Sequence, residues 1–473
     1  MGRVGPLVHA AFVSTLLIAG SGTALAQWPQ FRGPNGSGID SSAAYPTTFS
    51  PAKNVVWKTA MPAGQSSPVL AGGHVYLTGS EGDRLLTIGL DAATGRELWR
   101  REIKRARTSN VYHANDPASP TPAADAVGVV AFFPDFGLVA YTPDGKDRWT
   151  LPLGPFTSFY GMAASPILAG DLVVMLCDQR TGSFIVAADR KTGSVRWKRD
   201  RLGAPEGWAT PMVFRPAGKP AQLVVPGTSR LDGYALESGE PLWWMPIGSS
   251  GSMGTAVASG DVLFVSTSGS TEPSMPAFDS YLTKYDKDND RRLSMQEFAA
   301  DKEMAEHFGW ADADADKFVT AAEWNVIRNL GVGEFGAIAV RPGDARGQLA
   351  ANAVLWRFKK NLPYIPAPLL YQDVLYLAKT GGIITALDAS TGRALKEGRS
   401  PQAPGEYYAS PVAADGKVFL ASVDGNITVL KAGKQWEVLG VNEIGTPIHA
   451  TPALSNGRIY VRTQGAVYCF GAK

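Results

Sequence analysis

The chain has 473 residues, 45% hydrophobic and 19% charged, with a formal net charge of +2 at pH 7. That balance excludes the broad basic field of a nucleic-acid binder, and the length exceeds what one non-repetitive core fills. Its 52 glycines and 33 prolines mark many turns, which points to an all-β repeat architecture.

Arg3, a mostly apolar run from Leu7 to Ala19 and the small residues Ala24-Leu25-Ala26 open the chain. This is the layout of a secretory leader, with cleavage expected after Ala26. The run is shorter than the ~20 residues that cross a bilayer, and no later segment is long and apolar enough. A periplasmic or secreted protein without a transmembrane segment is therefore expected. No cysteine near the cleavage point supports a lipoprotein anchor.

After an extended N-terminal segment (27–52), one turn signature recurs. Asp91-Ala-Ala-Thr94-Gly95-Arg-Glu-Leu-Trp99 returns as Asp189-Arg-Lys-Thr192-Gly193-Ser-Val-Arg-Trp197, with weaker copies ending at Trp149, Trp243 and Trp436. A further copy, Asp388 to Lys396, carries Lys where Trp is expected. Asp and Thr cap such a turn, Gly takes its positive φ, and the Trp buries a large surface between neighbouring sheets. Ser/Thr-Pro steps precede these turns at Ser67, Ser165, Ser410 and Thr451, each followed by short strands. Each unit is about four strands, which is a propeller blade.

Outer-strand slots fall at Trp57, Trp99, Trp149, Trp197, Trp243, Trp356, Lys396 and Trp436. That spacing predicts eight blades, with seven as the competitor. One interval is longer than a blade by about 67 residues. The last repeat, 450–471, lacks its own Trp strand, so the Trp57 segment is expected to supply it and join first to last. The expected division is 53–269 (closing strand, four blades and the start of the fifth), 270–335 (insertion) and 336–473 (the remaining blades).

The insertion changes composition toward acids, Ala, Lys and Met, which reads as helix. It carries two 12-residue loops. The first offers Asp286, Asp288, Asp290, Arg292, Ser294 and Glu297; the second offers Asp312, Asp314, Asp316, Phe318, Thr320 and Glu323. These are positions 1, 3, 5, 7, 9 and 12 of an EF-hand, where carboxylates, one backbone carbonyl (Arg292, Phe318) and a closing Glu surround calcium. Two calcium ions are expected. Position 6 usually needs Gly for a left-handed turn; Arg291 and Lys317 stand there at ~1–2 kcal/mol each. The loops start 26 residues apart, leaving room for only a short connecting helix.

The repeat resembles the pyrroloquinoline-quinone (PQQ)-like propeller repeat of quinoprotein dehydrogenases and of a propeller lipoprotein of outer-membrane assembly. Gln27-Trp28-Pro29-Gln30-Phe31-Arg32-Gly33-Pro34-Asn35-Gly36 resembles the opening of a large family of exported proteins. The resemblance covers roughly 27–270 and 336–473 and implies a quinoprotein-like propeller; with the spacings above, the expected fold is an all-β, eight-bladed propeller carrying a small α-helical EF-hand insertion. The dehydrogenases hold their quinone under a ring of adjacent cysteines, beside a calcium. This chain has two separate cysteines, Cys177 and Cys469, and their calcium ligands find no match here. Whether the two cysteines pair stays open, buried strand cysteines being the plainer reading.

The resulting expectation is an exported, monomeric, calcium-binding propeller acting as a non-catalytic scaffold for a protein or carbohydrate partner. The alternative is a PQQ-dependent periplasmic oxidoreductase of alcohols or sugars. Trp208, Tyr408 and His449 precede Ser/Thr-Pro steps, and Tyr112, His113 and Tyr160 stand nearby in the pattern. These side chains either converge on a central channel or pack between blades.

Overall fold

The computed structural model describes residues 27–471, apart from Ala43, Asn110, His113, Ser252, Met253, Ser274, His307 and Ala315. The expected leader, residues 1–26, lies outside them, and so does His113.

Each Asp-x-x-Thr-Gly turn closes on its own side chains. Asp91 Oδ1 accepts from the Ala93 and Thr94 N–H groups and from the Thr94 hydroxyl, at 3.0, 2.8 and 2.8 Å. Asp189 and Asp388 repeat this. The turn leads the chain into the outer strand of a four-stranded antiparallel sheet. In the first blade the strands run Val69–Ala71, His74–Glu81, Arg84–Asp91 and Glu97–Lys104. Eight such sheets follow one another, and the short first strands of neighbouring blades touch. The fold is an eight-bladed propeller.

The last blade combines Ala453–Ser455, Arg458–Thr463 and Ala466–Phe470 with Val55–Ala60. Trp57 lies opposite Cys469 and Lys58 opposite Tyr468, so the chain's own beginning supplies the final outer strand. Cys177 and Cys469 are both buried and unpaired.

Tryptophan ties blade to blade. Trp57 Nε1 donates to Ala92 O in the next blade's turn at 3.1 Å. Trp99, Trp149, Trp197 and Trp356 do the same to Pro143, Arg190, Leu236 and Ala389. Each ring lies flat on the turn glycine of the neighbour: a Cβ on Gly95, at φ +73°, would sit 2.5 Å from Trp57. Only a residue without a side chain, tolerant of positive φ, fits under the indole.

Two slots differ. Lys396 occupies the sixth blade's slot, and its Nζ donates to Trp436 O at 2.6 Å while lying 4.6 Å from the Trp436 ring. Trp436 itself is not in the seventh blade's slot, which corrects the sequence reading. Register places Gly440 there, opposite Val429, just as Trp99 lies opposite Gly89. The reason is the clasp. On its way to the last blade the N-terminal chain crosses the seventh at Thr47 and Phe49, which Asn442 holds by both ends of its amide. A Cβ on Gly440 would face Thr47 O at 3.9 Å. Trp436 turns back instead and packs on Gly398 of the sixth blade.

The Ser/Thr-Pro steps form a second seam, near the channel. Ser67 N–H donates to the Thr121 hydroxyl, Thr121 N–H to Ser165, and Ser165 N–H to Thr210. On the other side Ala367 N–H donates to Ser410, Ser410 to Thr451, and Thr451 back to Ser67. The seam is interrupted at the fifth blade, where the buried Thr255 hydroxyl has no partner.

Residues 27–40 plug one end of the channel. Trp28 exchanges backbone bonds with Leu70, Pro29 O accepts from Ala124, and Gln30 Oε1 accepts from Leu168. The Asn35 amide bonds both backbone groups of Val213, Arg32 donates to Pro368 O, and Gly38 O accepts from Ala413. The segment thus touches the inner rim of nearly every blade. No helix of the described residues is long and apolar enough to cross a membrane.

Candidate functional site

Between the second and third strands of the fifth blade, Val262–Thr267 and Gly336–Val340, the chain leaves the propeller. Helices Phe278–Tyr285 and Ala321–Arg328 flank the excursion, and three one-turn helices, Met295–Phe298, Lys302–Glu306 and Phe308–Ala311, lie between them. Its own small core gathers Phe278, Tyr285, Leu293, Phe298, Phe308, Val319 and Trp324. Fully buried Trp324 donates from Nε1 to Pro276 O.

The two acidic loops lie back to back. Leu293 pairs with Val319 and Ser294 with Phe318 in a two-stranded bridge. Positions 9 and 12 are three residues apart, the spacing of a capping box, and both boxes form. Ser294 caps the helix through Glu297, and Thr320 does so through Glu323. Arg291 and Lys317 adopt φ +63° and +76°, so the left-handed turn is made despite the missing glycine.

Carboxylate oxygens of Asp286, Asp288 and Asp290 come within 4.8 Å of one another, as do those of Asp312, Asp314 and Glu323. Asp286 Oδ1 is buried with no hydrogen-bond partner. The remaining proposed ligands are engaged in the loops. Glu297 accepts from Lys287 and Ser294 N–H, Asp316 from Phe318 N–H, and Asp290 from the Arg292 guanidinium. Burial and the neighbouring Glu323 and Asp316 charges push the Asp312 carboxyl above its ordinary range.

The second loop leans on the propeller. Arg180, in the third blade, donates to Gly309 O at 2.8 Å and faces Glu206 at 3.9 Å. Glu206 accepts from Phe159 N–H, and burial pushes its carboxyl up.

Because blade strands alternate in direction, the loops between second and third strands share a face with the blade junctions. The insertion and the channel mouth therefore lie on one side. There a cavity of about 320 Å³ is lined by Tyr112, Tyr160, Trp208, Tyr364, Tyr408 and His449, with Phe31 of the plug also in its wall. Tyr160 meets Tyr112 edge-on at 5.1 Å and Trp208 at 5.1 Å, and Tyr408 lies 5.4 Å from His449. The junction aromatics thus converge on the channel. Phe31 and Tyr364 were not signalled. Tyr364 precedes Ala367 rather than a Ser/Thr-Pro step, and Phe31 belongs to a segment with no periodicity.

Fold and site together define a PQQ-like propeller with an inserted acidic-loop pair. The family model described as outer membrane protein assembly factor BamB matches residues 50–214 and 278–473, and the chain belongs to that family. Among solved structures it is similar to BamB from Moraxella catarrhalis, at TM-score 0.52 and 14% identity over 88% of this chain and 98% of that one. It is also similar to the quinohemoprotein alcohol dehydrogenase of Comamonas testosteroni (0.54, 12%, 94% and 80%) and to ADHIIG from Pseudomonas putida HK5 (0.55, 12%, 94% and 81%). At these identities the likeness is one of fold. No curated protein matches.

Proposed function

We propose that this is an exported calcium-binding propeller that serves as a non-catalytic interaction scaffold. The observation that carries the calcium reading is Asp286 Oδ1, buried and unpartnered inside a group of three carboxylates. Like charges so close repel strongly unless a cation joins them, and a hard divalent ion with six to eight oxygen ligands meets that need. Asp286, Asp288, Asp290, Ser294 and Glu297 with the Arg292 carbonyl would hold one ion. Asp312, Asp314, Asp316, Thr320 and Glu323 with the Phe318 carbonyl would hold the other. The ions would brace the insertion against the third blade, presenting a rigid surface beside the channel mouth. The leader-like N-terminus and the family support export and a protein partner.

A ligand that binds only the folded loops raises their stability. Calcium should therefore raise the thermal midpoint of the mature chain relative to a chelator; an unchanged midpoint speaks against the reading.

The fold likeness to alcohol dehydrogenases brings in the quinone reading, and the cavity tests it. The quinone carries three carboxylates. Among the described residues lining the cavity, no Arg or Lys receives them, and no Asp or Glu holds a cation beside them. These residues do not fit the cofactor.

A further inference from the structure

The channel cavity is not explained by calcium, and its chemistry is uniform. Its walls are aromatic, set at steep angles: Tyr112 against Tyr160 at 87° and Tyr160 against Trp208 at 64°. Such walls offer several ring faces to one small ligand. Between them lies the inter-blade seam. Ser67, Thr121, Ser165, Thr210, Ser410 and Thr451 all line the cavity. Each hydroxyl accepts one seam bond from a neighbouring N–H, which leaves its own proton to give. The lining is thus a belt of hydroxyl donors under a collar of aromatic faces.

Among its described lining residues there is no Asp, Glu, Lys or Arg. Burial holds the His449 imidazole below its ordinary range, so it is neutral at pH 7. Burial, with Glu406 beside it, pushes the Tyr408 hydroxyl up to about 12, and burial and Tyr160 push Tyr364 higher still. Charged groups behind the lining are engaged: Glu406 accepts from the Tyr408 hydroxyl at 3.0 Å. Arg462 is spent on Ser66, Thr78 and Pro62, and Asp116 on Ala118 N–H and Ser80. A charged ligand would lose its hydration and meet no opposite charge among the described lining residues.

We infer that this cavity binds a neutral saccharide of one or two rings, its apolar faces on the tyrosines and its hydroxyls on the Ser/Thr belt. A purely apolar ligand would leave the hydroxyl protons unpaired, and an anion would lack a cation. The size agrees: about 320 Å³ is at the low end of the ~300–1,000 Å³ range for ligand pockets. Tyr112 and Tyr364, 40% and 41% exposed, stand at the mouth, where a ring would enter. The site lies apart from the acidic loops and does not depend on them.

Calorimetric titration of the mature chain tests this, using glucose, maltose, cellobiose, glucuronate and the apolar dye 8-anilinonaphthalene-1-sulfonate, each with calcium and with chelator. The expected result is millimolar or tighter binding of at least one neutral sugar. Glucuronate should bind at least tenfold more weakly. Tyr364→Ala and Tyr112→Ala should each weaken the neutral sugar at least tenfold, with thermal midpoints near the parent's. The inference is overturned if none of the neutral sugars binds, if only glucuronate or the dye binds, or if both variants keep full affinity. Loss of calcium binding with sugar binding intact would remove the calcium reading and leave this one standing.

Discussion

The Thr451 N–H donates to the Ser67 hydroxyl at 3.0 Å, joining residues 384 apart in sequence. With the Trp57 strand it closes the ring twice, once at the channel and once at the rim. Both groups are buried, so Ser67→Ala leaves an N–H without a partner, at about 1–3 kcal/mol. Urea unfolding of residues 27–473 should show a lower midpoint with an unchanged slope.

At the rim the slot rule makes an unusual forecast. Trp57→Ala removes a docked indole and should cost about 3–5 kcal/mol. Gly440→Trp restores the pattern residue yet should also destabilise, by roughly 1–3 kcal/mol, because the chain at Thr47 crosses there. Both are read by denaturant melts; a stabilised Gly440→Trp would refute the register given for the seventh blade.

Arg201 is buried between Asp178 and Asp232, at 2.6 and 3.1 Å, with the Tyr234 hydroxyl at 2.7 Å. Arg201→Met leaves the buried Asp178 without a countercharge, while Asp232 keeps Arg230 at 2.6 Å, and should cost about 3–5 kcal/mol at pH 7. Burial pushes the Asp178 carboxyl up to about 6 against the pull of Arg201. Its folded pKa exceeds the unfolded value of about 3.9, so the folded state holds the extra proton and this group's contribution falls as pH rises through that window. A protonated Asp178 needs the guanidinium less, so the variant's deficit should be smaller at pH 5 than at pH 7.

Arg180 ties the start of the second acidic loop to the propeller: it donates to Gly309 O in the preceding helix, reaches Asp312 O at 3.5 Å and faces Glu206 of the propeller. Arg180→Ala should weaken calcium at that loop several-fold and leave the first loop unaltered. Resolved two-site titration of the variant checks this.

The blade rhythm was legible because the best turns share Asp, Thr and Gly and most junctions share a Ser or Thr hydroxyl. Trp436 misled because sequence shows a tryptophan near the right spacing but not the register, which Lys431 opposite Glu437 sets. The plug was read only as extended chain. Its bonds go to the blades' inner rims, a pattern with no period, and its one local clue is the run of positive-φ glycines at 33, 36 and 38. The acidic loops declared their spacing, whereas the partial diversion of Asp290 to Arg292 appears only in three dimensions.

Calcium titration of residues 27–473, alongside Glu297→Gln and Glu323→Gln, tests the central claim most directly. Two ions per chain are predicted, with one lost in each variant and none bound by the double variant. Absence of binding in the parent, or binding undiminished in the double variant, would contradict the account.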